Sequence, residues 1–307
     1  MVALSHAPTP EPPASPLGLW LRRRLPVLSL LVVLCLIWYG GALYLNAPRV
    51  IAQLNSTAPG WTFSSFVEAA WSMKRPLLPA PHQIVGELLR GLFDAGVLSP
   101  RNLLYHAGVT LGAAACGFGL ALAIGIGLAI MIVHVKFLDR ALFPWVVASQ
   151  AVPVIATAPM IVVVLGHLGF EGLLPKALIA ASTAFFPIAI SMVVGLRSAD
   201  PIQIDLMETY NAGRLAVFTK LRWPAAMSFL LPSLKVAGAL AIVGAIVGEL
   251  PTGAQAGLGA RLLVGSYNGL MLMMWAVLIM AGALAVASIG VIGLFERYVR
   301  ARRGGRL

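Results

Sequence analysis

The chain predicts an all-α integral membrane protein with six transmembrane helices. Three observations lead there: its composition, its charge-free runs and the placement of its basic residues. Of 307 residues, 59% are hydrophobic and 11% charged, with a mean hydropathy of +0.90, which is more apolar and less charged than a soluble domain. Crossing roughly 30 Å of hydrocarbon takes about 20 helical residues. Five stretches meet that length with almost no charge: 25–45, 107–133, 141–166, 177–196 and 269–294. A sixth, 229–250, carries Lys235 near one end and Glu249 at the other, and both can reach an interface from just inside the membrane. Threading six spans alternately puts 15 of the 22 lysines and arginines on one side and 7 on the other. The positive-inside rule then places both termini in the cytoplasm of a multi-pass protein. The basicity sets topology and gives no reason to expect a nucleic-acid partner.

Residues 1–20, with Pro8, Pro10, Pro12, Pro13 and Pro16, read as a disordered cytoplasmic tail. Arg22, Arg23 and Arg24 precede the first apolar run, which outlasts the h-region of a secretory signal, so 21–45 is expected as the first transmembrane helix. Residues 46–101 form the longest external segment. Trp61, Phe63, Phe66 and Trp71 suit the water–lipid interface, and Ile84, Val85, Leu88, Leu89, Leu92 and Phe93 recur at helical spacing. Residues 102–298 form a five-helix core containing a loop at 198–223, and 299–307 form a basic cytoplasmic tail.

Within the core, the second span is rich in glycine, which permits close helix packing in lipid. The third differs in kind. Pro144, Pro153 and Pro159 interrupt it, with Ser149, Gln150 and Thr157 between them. Backbone freed at that depth is tolerated where it is buried in protein or lines a cavity, so the run reads either as a broken helix beside a translocation path or as a kinked structural helix. Gln150, Pro153, Thr157 and Glu249 are the path candidates. Glu249 has the strongest case, because a carboxylate at a span end must be paired or wet, and Arg261 is the expected partner. Cys35 and Cys116 lie inside spans, and His106, His134 and His167 stand near span ends without metal-ligand spacing, so neither a disulfide framework nor a metal site is expected. The Gly-rich 249–261 segment contains no G-x-x-x-x-G-K-[ST], so an ATP site is not expected on this chain.

The polar loop between Arg197 and Pro224 is far longer than the roughly 2–8 residues that usually join packed helices. A helix is expected from Pro201, with Asn211 or Gly213 as the place of reversal, since both residue types accept positive φ. This loop resembles the cytoplasmic E-A-A-x-x-x-G loop of permease subunits of type I ABC importers, in which proline follows the glycine by thirteen residues. Asn211 falls at the glycine and Pro224 at the proline. Asp205 falls at the glutamate, Leu206 and Met207 at the alanines, and Ser233, Leu234 and Lys235 at the following G-L-R. Gln150–Pro159 is similar to the Q-x-x-P-x-x-A-x-x-P stretch of the nitrate/sulfonate/taurine group of these permeases. Leu78–Pro81, Gly244–Glu249 and Gly257–Gly259 resemble that group too, and the long segment 46–77 with the run Gly248–Gly259 resembles its pyrimidine or riboflavin-like branch.

The resemblance implies a type I permease fold with a cytoplasmic coupling helix, in the bacterial inner membrane. It also implies a second copy of the chain, two cytoplasmic ATPases that hold ATP and Mg, and a periplasmic solute-binding protein. Leu206, Met207 and Tyr210 would anchor the coupling helix, Asp205, Glu208 and Arg214 would set its register, and Asn211 would make the turn before Gly213. The implied substrate is a small heterocycle such as a pyrimidine or vitamin precursor, with a sulfonate-, nitrate- or taurine-type anion as the alternative. An ion-coupled secondary transporter is the competing class. It favours midplane ionisable groups and two related halves, neither of which is evident.

Overall fold

The structure is a computed structural model that describes residues 16–58 and 60–302, with side chains from Arg24 onward. Every regular element among the described residues is helical. The expected tail lies outside the described residues for 1–15, and 16–20 are helical; 303–307 lie outside as well. The chain divides into two units, 1–83 and 84–307.

In the first unit, α1 (Pro16–Thr57) runs twelve residues beyond the expected end of the span, so the helix continues into the segment expected to be external. Two features carry the helix on past Pro48. Val50 and Leu54 bury against Ala70, which belongs to α2 (Phe63–Trp71). Asn46, fully buried, accepts the Leu77 N–H at Oδ1 (2.7 Å) and donates from Nδ2 to the Leu78 carbonyl (2.9 Å). The span from Leu25 to Ile37 presents exposed leucine, valine and isoleucine, as suits a helix surrounded by lipid. Thr62 and Ser65 form a reciprocal capping box at the start of α2.

The second unit is built around α7 (Leu173–Arg197), packed between α4 (Leu103–His134) and α10 (Trp223–Glu249). Small residues set the spacing. A Cβ on Gly117 would meet Ala177 and Ala180, one on Gly244 would meet Ala180, and one on Gly195 would meet the Ala226 backbone. Thr183 adds a hydrogen bond across the pair, donating to the Leu240 carbonyl (2.9 Å). Such close approach replaces the hydrophobic drive that lipid removes. α3 (Pro81–Phe93) ends near the start of α4, where buried Asn102 donates to the carbonyls of Leu92 and Ala95 and accepts the Leu104 N–H.

Five helices are long and apolar enough to span a membrane, and a bent pair makes a sixth crossing if counted as one span. That pair is the proline-interrupted run. α5 (Lys136–Ala148) and a short 3₁₀ turn lead to α6 (Val154–His167) across a 107° bend. Val152, which precedes Pro153, is extended at φ −80°, ψ 116°, the conformation that a following proline imposes. Of the two forms the sequence allowed, the run takes the broken one. α12 (Met271–Arg302) flanks α10, and Glu296 on α12 pairs with Lys235 (2.5 Å) and Arg300 (2.6 Å).

Candidate functional site

The loop that the sequence singles out forms α8 (Pro201–Thr209). Asp200 starts it, its carboxylate accepting the Ile202 N–H at 2.9 Å, with Pro201 at the first helical position where its missing N–H is harmless. Asn211 ends it at φ 52°, and no other non-glycine among the described residues has positive φ. The Asn211 N–H donates to the Glu208 carbonyl (2.8 Å) and the Ala212 N–H to the Met207 carbonyl (3.0 Å), the bond pair of a Schellman turn. Gly213 needs no special freedom. It has φ −64° and opens α9 (Arg214–Val217). A π-helical turn over Phe218–Arg222 follows, in which the Trp223 N–H reaches back to Phe218. The wider turn sits immediately before Pro224, which has no N–H to give the preceding turn.

The side chains of α8 divide into two faces. Ile202, Leu206 and Tyr210, each four residues apart, are 76%, 54% and 76% exposed, and Leu215 beyond the turn is 75% exposed. Met207 is half-buried, as is Ile204. Met207 therefore turns inward from the exposed stripe, and Ile202, which sequence reasoning passed over, lies on it. Asp205, Glu208 and Arg214 are exposed, and no ion pair engages them among the described residues. Beneath α8 lies a cavity of about 440 Å³ lined by His134, Ile204, Glu208, Arg214, Phe218 and Arg222, among others.

The path candidates do not come together as one site. Gln150 and Pro153 are exposed at the α5–α6 break, next to exposed Val152 and Ile155. Thr157 is half-buried and returns its hydroxyl to the Val154 carbonyl (3.1 Å). Glu249 is 0% exposed and closes a polar clasp at the other end of α10. Its Oε1 accepts from the Thr110 hydroxyl (2.8 Å) and its Oε2 from the Gly259 N–H (2.7 Å). Thr110 accepts in turn from the Leu258 N–H (2.8 Å). His106 Nδ1 accepts the Gly257 N–H (3.0 Å), which fixes its proton on Nε2, where it donates to the Pro100 carbonyl (2.8 Å). Three successive amides at the start of α11 (Leu258–Tyr267) are thus each bonded to a side chain of α4 or α10. Arg261, the partner expected for Glu249, makes no ion pair with it. The Gly259 amide and the Thr110 hydroxyl take that role, as an anion at a helix N-terminus allows. His106 is likewise no loose interfacial histidine, being 2% exposed. The usable sequence signal was the i, i+4 pair His106 and Thr110, together with a glutamate eight residues ahead of a Gly-Leu-Gly.

Comparison with known proteins gives these features a setting. A sequence model for the family described as "Binding-protein-dependent transport system inner membrane component" matches residues 121–303. The chain is 40% identical over 184 residues to the riboflavin transport system permease protein RibX of Chloroflexus aurantiacus, a match covering 60% of this chain and 65% of that protein, just under two thirds of its length. It is 32% identical over 195 residues to the formylaminopyrimidine transport permease protein ThiX of Halalkalibacterium halodurans, covering 63% and 73% of the two chains. The crystal structure of an amino acid ABC transporter with histidines shares the fold at a TM-score of 0.51 and 16% identity, covering 71% of this chain and 96% of that one.

Proposed function

Because the chain belongs to the family of binding-protein-dependent transport system inner membrane components, we propose that it is the membrane-spanning permease subunit of an ATP-driven importer. The observation that carries this reading is the outward stripe Ile202, Leu206 and Tyr210 on a helix closed at Asn211. Burying a large apolar side chain is worth about 1.5–3 kcal/mol. A helix that leaves three such side chains exposed next to a polar loop suits a partner's groove. That partner is a cytoplasmic ATPase, which supplies ATP and Mg. Leu206 and Tyr210 act as anchors with Ile202, and Asp205, Glu208 and Arg214 set register from the rim.

Two copies of the chain enclose the path, with Gln150, Pro153 and Thr157 at the α5–α6 break beside it and Glu249 behind it in the clasp. A periplasmic binding protein delivers the solute, and both termini lie in the cytoplasm, as the excess of basic residues on that side favours. Glu249 is tied into the clasp by a hydroxyl and an amide, and Glu296 pairs with cations. The riboflavin and formylaminopyrimidine relatives support a small heterocycle as solute. Uptake into proteoliposomes of the full complex tests the assignment. ATP-dependent accumulation of riboflavin or formylaminopyrimidine, with taurine excluded, is expected. Uptake of taurine instead would transfer the chain to the anion group, and uptake driven by an ion gradient without ATP would overturn the importer reading.

A further inference from the structure

Resting on the permease reading above, we propose that His106, Thr110 and Glu249 are positioning residues for transport. They make α11 a rigid continuation of α10 at the end remote from α8, so that a displacement of α10 reaches α11 without slack. The stretch between Glu249 and α11 has no regular helix and includes Gly253 at φ +59° and Gly257 at φ +127°. Such a connection by itself leaves the following helix free to pivot. The clasp removes that freedom. The amides of Gly257, Leu258 and Gly259 are held by three side chains from two different helices, and all three bonds are buried.

The room around them is closed too. A Cβ on Gly257 would collide with the Glu249 carboxylate, and one on Gly259 would collide with Glu249 and the Ile246 carbonyl. Breaking the arrangement strands a carboxylate, a hydroxyl and three amides away from water, a cost that opposes independent motion of α11. Leu258, the first residue of α11, is fully buried with Met273, Ala276 and Val277 of α12. The 27-residue α10 covers about 40 Å between the π turn and Glu249. α11 is therefore held to α10 through Glu249 and to α4 through His106 and Thr110.

The test uses the complete complex of permease, ATPase and binding protein in proteoliposomes, comparing Thr110→Val with Thr110→Ser. Valine keeps the shape and removes both hydrogen bonds, whereas serine keeps them. Thr110→Val is expected to retain assembly and basal ATP hydrolysis within about twofold, while solute moved per ATP falls roughly fivefold or more, with Thr110→Ser restoring the wild-type ratio. An unchanged ratio in Thr110→Val, or hydrolysis and uptake falling together, would overturn the proposal. Where Thr110→Val does not assemble, His106→Phe takes its place, since it keeps a ring and removes the acceptor of the Gly257 amide. Hydrogen exchange on the purified permease separates this claim from the importer reading. Amides 257–267 are expected to exchange roughly tenfold faster in Thr110→Val than in wild type, with 223–249 unaffected. Equal exchange rejects the clasp even if the complex transports, and faster exchange in a chain that binds no ATPase rejects only the importer.

Discussion

Glu249 and Asn211 each meet a backbone requirement at a helix end, and each carries a prediction of its own. Glu249→Ala leaves the Gly259 amide and the Thr110 hydroxyl buried without the acceptor they now share. It is expected to cost about 2–4 kcal/mol in thermal unfolding of the detergent-solubilised protein, with Glu249→Gln costing less. Asn211 at φ 52° accepts glycine at little or no cost. A valine there is expected to destabilise the turn by about 1–2 kcal/mol, seen as faster proteolysis at 210–214 with the spans intact. Asn211 was legible in the sequence because its turn lies thirteen residues before Pro224, a spacing that survives changes in the letters around it. Glu249 stood out as a candidate, but its partners did not. Thr110 lies 139 residues away in the chain, and charge complementarity pointed to Arg261 where the fold supplied one backbone amide and a hydroxyl.

Among the elements, the broken third span shows how far local chemistry reaches. Pro153 dictates that the helix stops at Val152, and the sequence shows it. The 107° bend depends on what α6 packs against, which no local pattern encodes. α1 departed in the other direction: composition placed its end where hydrophobicity falls, yet burial of Asn46, Val50 and Leu54 carries the helix on to Thr57. In α8, the resemblance pointed to Leu206, Met207 and Tyr210. The division between outer and inner faces rests on register within a nine-residue helix, which puts Ile202 on the exposed face and leaves Met207 half-buried. The link between α10 and α12 carries its own expectation. Glu296 is 7% exposed and divides its oxygens between Lys235 and Arg300. Lys235→Ala removes one of two cations from a largely buried acid and is expected to destabilise by more than the roughly 0.2–1 kcal/mol typical of an exposed pair. Lys235→Arg is expected to restore most of that loss, and thermal unfolding of both variants checks this.

At the scale of the whole molecule, a tightly packed α4–α7–α10 core joins two ends with different tasks. One end offers an exposed apolar stripe on a short helix, and the other fixes α11 through a buried clasp. The central claim is that the stripe is the seat of an ATPase, and copurification from native membranes tests it most directly. Wild-type permease is expected to carry its ATPase through affinity purification. Leu206→Asp and Tyr210→Ala are expected to yield the same amount of folded permease with at least tenfold less ATPase bound, roughly the loss of 1.4 kcal/mol or more of binding free energy. ATPase retained at wild-type levels by both variants would contradict the account.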